Sequence, residues 1–125
     1  MNRFLAFAFA CLGATLSTPV SAETHLGSVM VRYNTDTDMI PVPGAVFYGA
    51  VRFCVSQSAV HMHDLDAHFA NGGHQDLWVR AVVRAGECTR WIDLNGPRRN
   101  LTSIVLRYDT IGASGPRAVV SAYGR

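Results

Sequence analysis

The sequence predicts an all-β fold, a two-sheet antiparallel β-sandwich of about 7–8 short strands that follows a cleaved signal peptide. Three observations carry this. Apolar residues recur with period two through most of the chain, the spacing that turns one face of a strand inward and the other to water. Glycine and proline clusters interrupt the alternation at short intervals, which is the chemistry of turns. No stretch carries an apolar stripe of helical spacing, and no repeat or low-complexity tail is visible.

The first element is a leader. Arg3 supplies a positive charge, Phe4 to Leu16 is mostly apolar, and Val20-Ser21-Ala22 puts small residues where a signal peptidase cuts. A membrane span needs about 20 apolar residues, and Thr15, Ser17, Thr18 and Pro19 interrupt this one too early. Cys11 does not read as a lipid anchor, because bulky Phe9 stands where a small residue is needed. Residues 1–22 are therefore expected to be removed, leaving 23–125 as a single domain outside the cytoplasm, periplasmic or secreted. Taking 22 residues from 125 leaves 103, enough to bury about 60–65% of the unfolded surface around one core.

The predicted strands are Leu26–Tyr33, Val46–Val55, Val60–Phe69, Leu77–Val83, Cys88–Leu94, Leu101–Tyr108 and Arg117–Tyr123. Turn signals separate them: Pro41-Val42-Pro43-Gly44, Asn71-Gly72-Gly73, Arg84-Ala85-Gly86-Glu87, Asn95-Gly96-Pro97 and Gly112-Ala113-Ser114-Gly115-Pro116. In the third strand Val60 and Met62 lie in one phase and Leu65, Ala67 and Phe69 in the other. An extra residue near His63-Asp64 keeps all five inward, so a β-bulge is expected there. It leaves His61, His63 or Asp64, Asp66 and His68 facing outward.

A four-residue loop over Arg84–Glu87 makes a hairpin of the fourth and fifth strands, with Val83 facing Cys88, Arg80 opposite Trp91 and Trp78 opposite Asp93. Its outer face carries Trp78, Arg80, Thr89, Trp91 and Asp93. Two tryptophans beside an arginine suit a stacking platform for a sugar or another ring, and they equally suit packing that covers the sheet. Cys54 and Cys88 are the only cysteines beyond the leader. In an oxidising compartment such a pair is read as a disulfide, and closing a loop of about 35 residues stabilises the fold by roughly 3–4 kcal/mol in the chain-entropy model.

The formal net charge is +2 for the whole chain, or +1 once Arg3 leaves, which gives no electrostatic case for nucleic acid. Every basic side chain other than histidine is arginine, the residue able to make a bidentate contact with a carboxylate. His61 and His63, two apart on a strand, can address one cation, with Asp66 and His68 nearby as further donors for zinc or copper. Cleavage after Ala22 also exposes Glu23-Thr24-His25, whose amine, backbone amides and His25 imidazole can wrap square-planar copper. Asp36 and Asp38 before the Pro-Val-Pro-Gly turn suit a calcium loop, or cap the turn with their own side chains. No Gly-x-Ser-x-Gly elbow, His-Glu-x-x-His helix or phosphate loop occurs, so no enzyme is expected.

Several runs resemble a group of small exported bacterial proteins of unknown function. They are Phe69-Ala70-Asn71-Gly72, then Asp76-Leu77-Trp78-Val79, then Gly86 with Thr89-Arg90, and Ile92-Asp93-Leu94 with Gly96, Arg99 and Ile104. Leu26-Gly27, Asp36-x-Asp38-x-Ile40, Phe47, Val51-Arg52-Phe53-x-Val55 and Ala118 to Gly124 extend the likeness over nearly all of the chain past the leader. The resemblance implies a β-sandwich of the envelope or medium, with Cys54 and Cys88 as additions to the pattern. Arg52, Arg90, Arg99 and Asp93 then take structural roles, Arg90 laying its stem on the core in phase with Ile92 and Leu94. The expected function is a non-enzymatic binding or structural envelope module, with a glycan or envelope component as partner. The alternative is a periplasmic copper- or zinc-binding protein, and pairing with a second copy through a free sheet edge stays open.

Overall fold

The computed structural model describes residues 23–32, 36–111 and 115–125; the expected leader, residues 1–22, lies outside them. Among the described residues ten strands form, in chain order: β1 Thr24–Met30, β2 Asp36–Pro41, β3 Phe47–Tyr48, β4 Ala50–Ser56, β5 Val60–Phe69, β6 His74–Asp76, β7 Ala81–Val83, β8 Ile92–Asp93, β9 Arg99–Thr110 and β10 Val119–Gly124. A four-stranded sheet runs β1-β10-β4-β8. A six-stranded sheet runs β2-β9-β5-β6, with β3 also on β9 and β7 also on β5. Every pairing is antiparallel. No helix among the described residues is long and apolar enough to cross a membrane.

The alternation does what its phase requires. Val60, Met62, Leu65, Ala67 and Phe69 of β5 are all buried, together with Leu101, Ile104, Leu106 and Tyr108 of β9, and they face Val51, Phe53, Val55, Val120 and Ala122 of the other sheet in one core. Burying side chains of this size contributes about 1.5–3 kcal/mol each. The bulge in β5 is present. Arg107 pairs with Asp64 but Tyr108 with Met62, so His63 is the extra residue.

β2 is a strand that alternation did not announce. Its inward phase is Asp36, Asp38 and Ile40, and only Ile40 is apolar and buried. Asp38 is tolerated there because Oδ2 accepts the Tyr108 hydroxyl at 2.6 Å, while that hydroxyl accepts the Arg32 N–H at 2.9 Å. Asp36 accepts from its neighbour's amide, Thr37 N–H, at 2.8 Å and faces Arg32 at 3.4 Å. Both carboxylates thus serve the strand and its entry.

The expected hairpin between Leu77–Val83 and Cys88–Leu94 does not form. Asp76 Oδ1 accepts the Trp78 N–H at 2.9 Å and holds Trp78 at φ 53°, a left-handed turn that separates β6 from β7, both on β5, so that of the expected Leu77–Val83 only Ala81–Val83 is strand. Val83 pairs with Val60 rather than Cys88. After the Arg84–Glu87 loop, with Gly86 at φ 87°, the chain changes sheets. Val55 donates to Glu87, Cys54 bridges Cys88, Thr89 donates to Phe53, and Ile92 pairs with Val51. Strands propose their faces by alternation but not their partners. Arg90 is exposed rather than laid on the core, because the pairing lapses between Thr89 and Ile92 and the phase slips.

The Cys54–Cys88 disulfide is present, with sulfurs 1.98 Å apart. It joins the crossing segment to β4, a central strand of the four-stranded sheet.

Candidate functional site

The bulge at His63 builds the most distinctive cluster on the surface. Within a regular strand, side chains two apart sit on one face at a fixed spacing. The inserted residue bends β5 and turns His63 so that its ring centroid lies 4.4 Å from that of His61. Register then adds a third group, since Asp109 of β9 is the partner of His61. His63 Nε2 donates to Asp109 Oδ2 at 2.5 Å. One ligand atom from each of His61, His63 and Asp109 lies within 4.8 Å of the others, and all three residues are half-buried. Two imidazoles and a carboxylate are a donor set suited to zinc or copper, with remaining positions open.

Asp109 was missed by the sequence reading because it lies 46 residues from His63 and one residue beyond the predicted end of its strand. The outward phase of β9, carried one step past Tyr108, was the available signal. Asp66 and His68, expected near the same ion, lie farther along β5. Asp66 Oδ2 is 3.2 Å from His68 Nε2 and 3.3 Å from His74 Nδ1, and these two rings lie 5.7 Å apart. Between the clusters Asp64 meets Arg80 at 3.0 Å and Arg107 at 3.3 Å, and Arg80 also meets Asp76 at 3.0 Å. The backbone N–H of Trp78, then Arg80, holds the Asp76 carboxyl below the ordinary carboxylate range. Exposed pairs of this kind contribute little stability, about 0–1 kcal/mol. His25 is on β1 of the other sheet, bonded to Ser28 Oγ at 2.8 Å and 5.3 Å from the Tyr123 ring.

The four residues read as a platform are not assembled on one hairpin. Trp78 is 69% exposed and carries the Arg80 guanidinium 4.3 Å over its ring. Trp91 is half-buried beside β8, with Arg125 4.4 Å and Arg52 5.0 Å from its ring centroid. Arg52 is itself held by Glu23 Oε1 at 2.6–2.7 Å. The Asp93 side chain is exposed and its carbonyl accepts from Gln75 Nε2 at 3.1 Å. Arg99 donates to the Asn95 carbonyl at 3.0 Å and lies 3.8 Å over the Phe69 ring. Trp78, Trp91 and Phe69 are thus each met by a guanidinium of the same chain, a contact of about 0.5–1 kcal/mol at exposed sites.

A family model described as a domain of unknown function, DUF2541, matches residues 4–124. No curated protein and no solved structure matches the chain.

Proposed function

Because the chain belongs to the DUF2541 family, a family of unknown function, its own geometry has to carry the reading, and we propose an exported, non-enzymatic β-sandwich that holds one zinc or copper ion. The observation that carries it is the convergence of His61, His63 and Asp109 within 4.8 Å. A bulge and a cross-strand register are both needed to produce it. Neutral imidazoles bind as metal ligands through either ring nitrogen, and the carboxylate offsets the charge of the ion. Export, to the periplasm or the medium, is supported by the leader pattern and by the Cys54–Cys88 bond, which suits an oxidising compartment.

The experiment is native mass spectrometry and calorimetry of the oxidised protein with zinc and with copper. One zinc ion is expected per chain, and one copper ion at the β5 cluster once His25→Ala has removed the amino-terminal chelate. His61→Ala and His63→Ala abolish its retention, and Asp109→Asn weakens it. His25→Ala is the control, since it removes the amino-terminal copper chelate and leaves the β5 cluster whole. Zinc and copper affinities left unchanged by the His61→Ala/His63→Ala double variant sink the reading.

A further inference from the structure

At the end of the β5–β9 pair opposite the histidine cluster lies a cavity of about 370 Å³. Ligand pockets run from about 300 to 1,000 Å³, so this one has room for a single ring. Two motifs that the metal cluster does not use converge on it. The Phe69-Ala70-Asn71-Gly72 turn contributes Phe69 and Asn71, and the Gly96-x-x-Arg99 element contributes Arg99; Phe47, Arg98 and Asn100 complete the wall.

The wall is chemically unbalanced. Arg98 donates to the Phe47 carbonyl at 2.6 Å and Arg99 to the Asn95 carbonyl at 3.0 Å, yet a guanidinium has five donors. Arg32, Arg52, Arg80 and Arg107 each face a carboxylate, whereas no described carboxylate pairs with Arg98 or Arg99. Asn100 Oδ1 is buried with no hydrogen-bond partner, a state that native side chains rarely keep without a reason. Phe47, on a strand of only two residues, is 52% exposed.

We propose that this cavity binds a small ring-bearing acid that also carries hydroxyls, the chemistry of a hexuronic acid. Its carboxylate takes the fork donors of Arg98 and Arg99 in charge-assisted bonds. A ring hydroxyl gives Asn100 its missing donor after a rotation of the carboxamide. The apolar face of the ring lies on Phe47. A neutral sugar forms no charge-assisted bond with the two guanidiniums, and an inorganic anion leaves the aromatic wall and Asn100 unused. This site is independent of the metal cluster, and either reading stands or fails without the other.

The test is calorimetry of the oxidised protein at low salt with galacturonate, galactose and inorganic phosphate as probes. Galacturonate is expected to bind, with galactose and phosphate roughly tenfold or more weaker, the cost of one charged hydrogen bond. Arg98→Gln and Phe47→Ala each lower galacturonate affinity by a similar factor while zinc retention and melting temperature are kept. Arg98→Lys, which keeps charge and loses the fork, is expected to recover only part of the affinity. If Phe47→Ala fails to fold, exposed Arg98 decides alone. Galacturonate that binds no more tightly than galactose or phosphate, or whose binding ignores Arg98→Gln, overturns the proposal.

Discussion

Tyr108→Phe removes a single oxygen from the middle of the six-stranded sheet and is expected to cost far more than a surface change. The ring is fully buried and remains, so no cavity forms. Two bonds go: the hydroxyl's donation to Asp38 Oδ2 at 2.6 Å and its acceptance of the Arg32 N–H at 2.9 Å. A hydrogen bond to a charged group contributes about 1.5–3 kcal/mol and a stranded polar group costs about 1–3 kcal/mol, so a loss of roughly 2–4 kcal/mol is expected. For a domain near 100 residues that lowers the melting temperature by roughly 10–20 °C. Denaturant unfolding checks the free energy, and a cycle with Asp38→Ala isolates the pair. Burial, then the Asp38 carboxylate, pushes the Tyr108 phenol up to about 12 from 10.0. A raised acid of this kind favours the protonated form in the fold. Its contribution, on the order of 2–3 kcal/mol, is complete below pH 10 and is lost as pH climbs through 12. In absorbance titration Tyr108 therefore ionises late, and the Phe variant loses that alkaline component. A Phe variant within roughly 0.5 kcal/mol of the parent, the range of neutral surface changes, refutes the reasoning.

Two further predictions concern covalent and steric locks. Replacing both cysteines by alanine is expected to lower stability by roughly 3–4 kcal/mol, from the loop of 34 residues' separation that the bond closes; equal melting of oxidised and reduced protein contradicts this. Gly124→Ala puts a Cβ 2.6 Å from the Tyr48 ring and is expected to cost about 1–3 kcal/mol by overpacking. Chemical denaturation that places this variant on the parent curve shows that Tyr48 moves aside freely.

The parts of the fold legible in the sequence are those where burial alone decides. Val60–Phe69 showed its strand and its bulge because two apolar phases conflict and only one inserted residue reconciles them. β2 stayed hidden because its inward face includes Asp38, whose acceptor is satisfied by a tyrosine 70 residues away. The hairpin failed because Val83 takes Val60 as its partner and the chain then crosses to β4, where Cys88 meets Cys54; period two names a strand's faces and leaves its partners open. Trp78 gave no sign of a left-handed backbone, since what imposes it is the Asp76 side chain two residues earlier. Of the His61, His63 and Asp109 cluster, both histidines were readable from their spacing. Asp109 depended on a register that period two does not specify.

The bridge beside β4 also governs what this protein exposes to its own copies. The segment from Glu87 to Asp93 covers one flank of Phe53 and Val55 by taking their backbone partners, and beyond the cysteines it is held by few ladder bonds. Chains produced in a reducing cytosol keep that flap only by hydrogen bonds. When it peels away, a long apolar strand is left with unpaired amides, a template for edge-to-edge aggregation. Yield of monomer on expression should therefore follow the redox state of the host compartment.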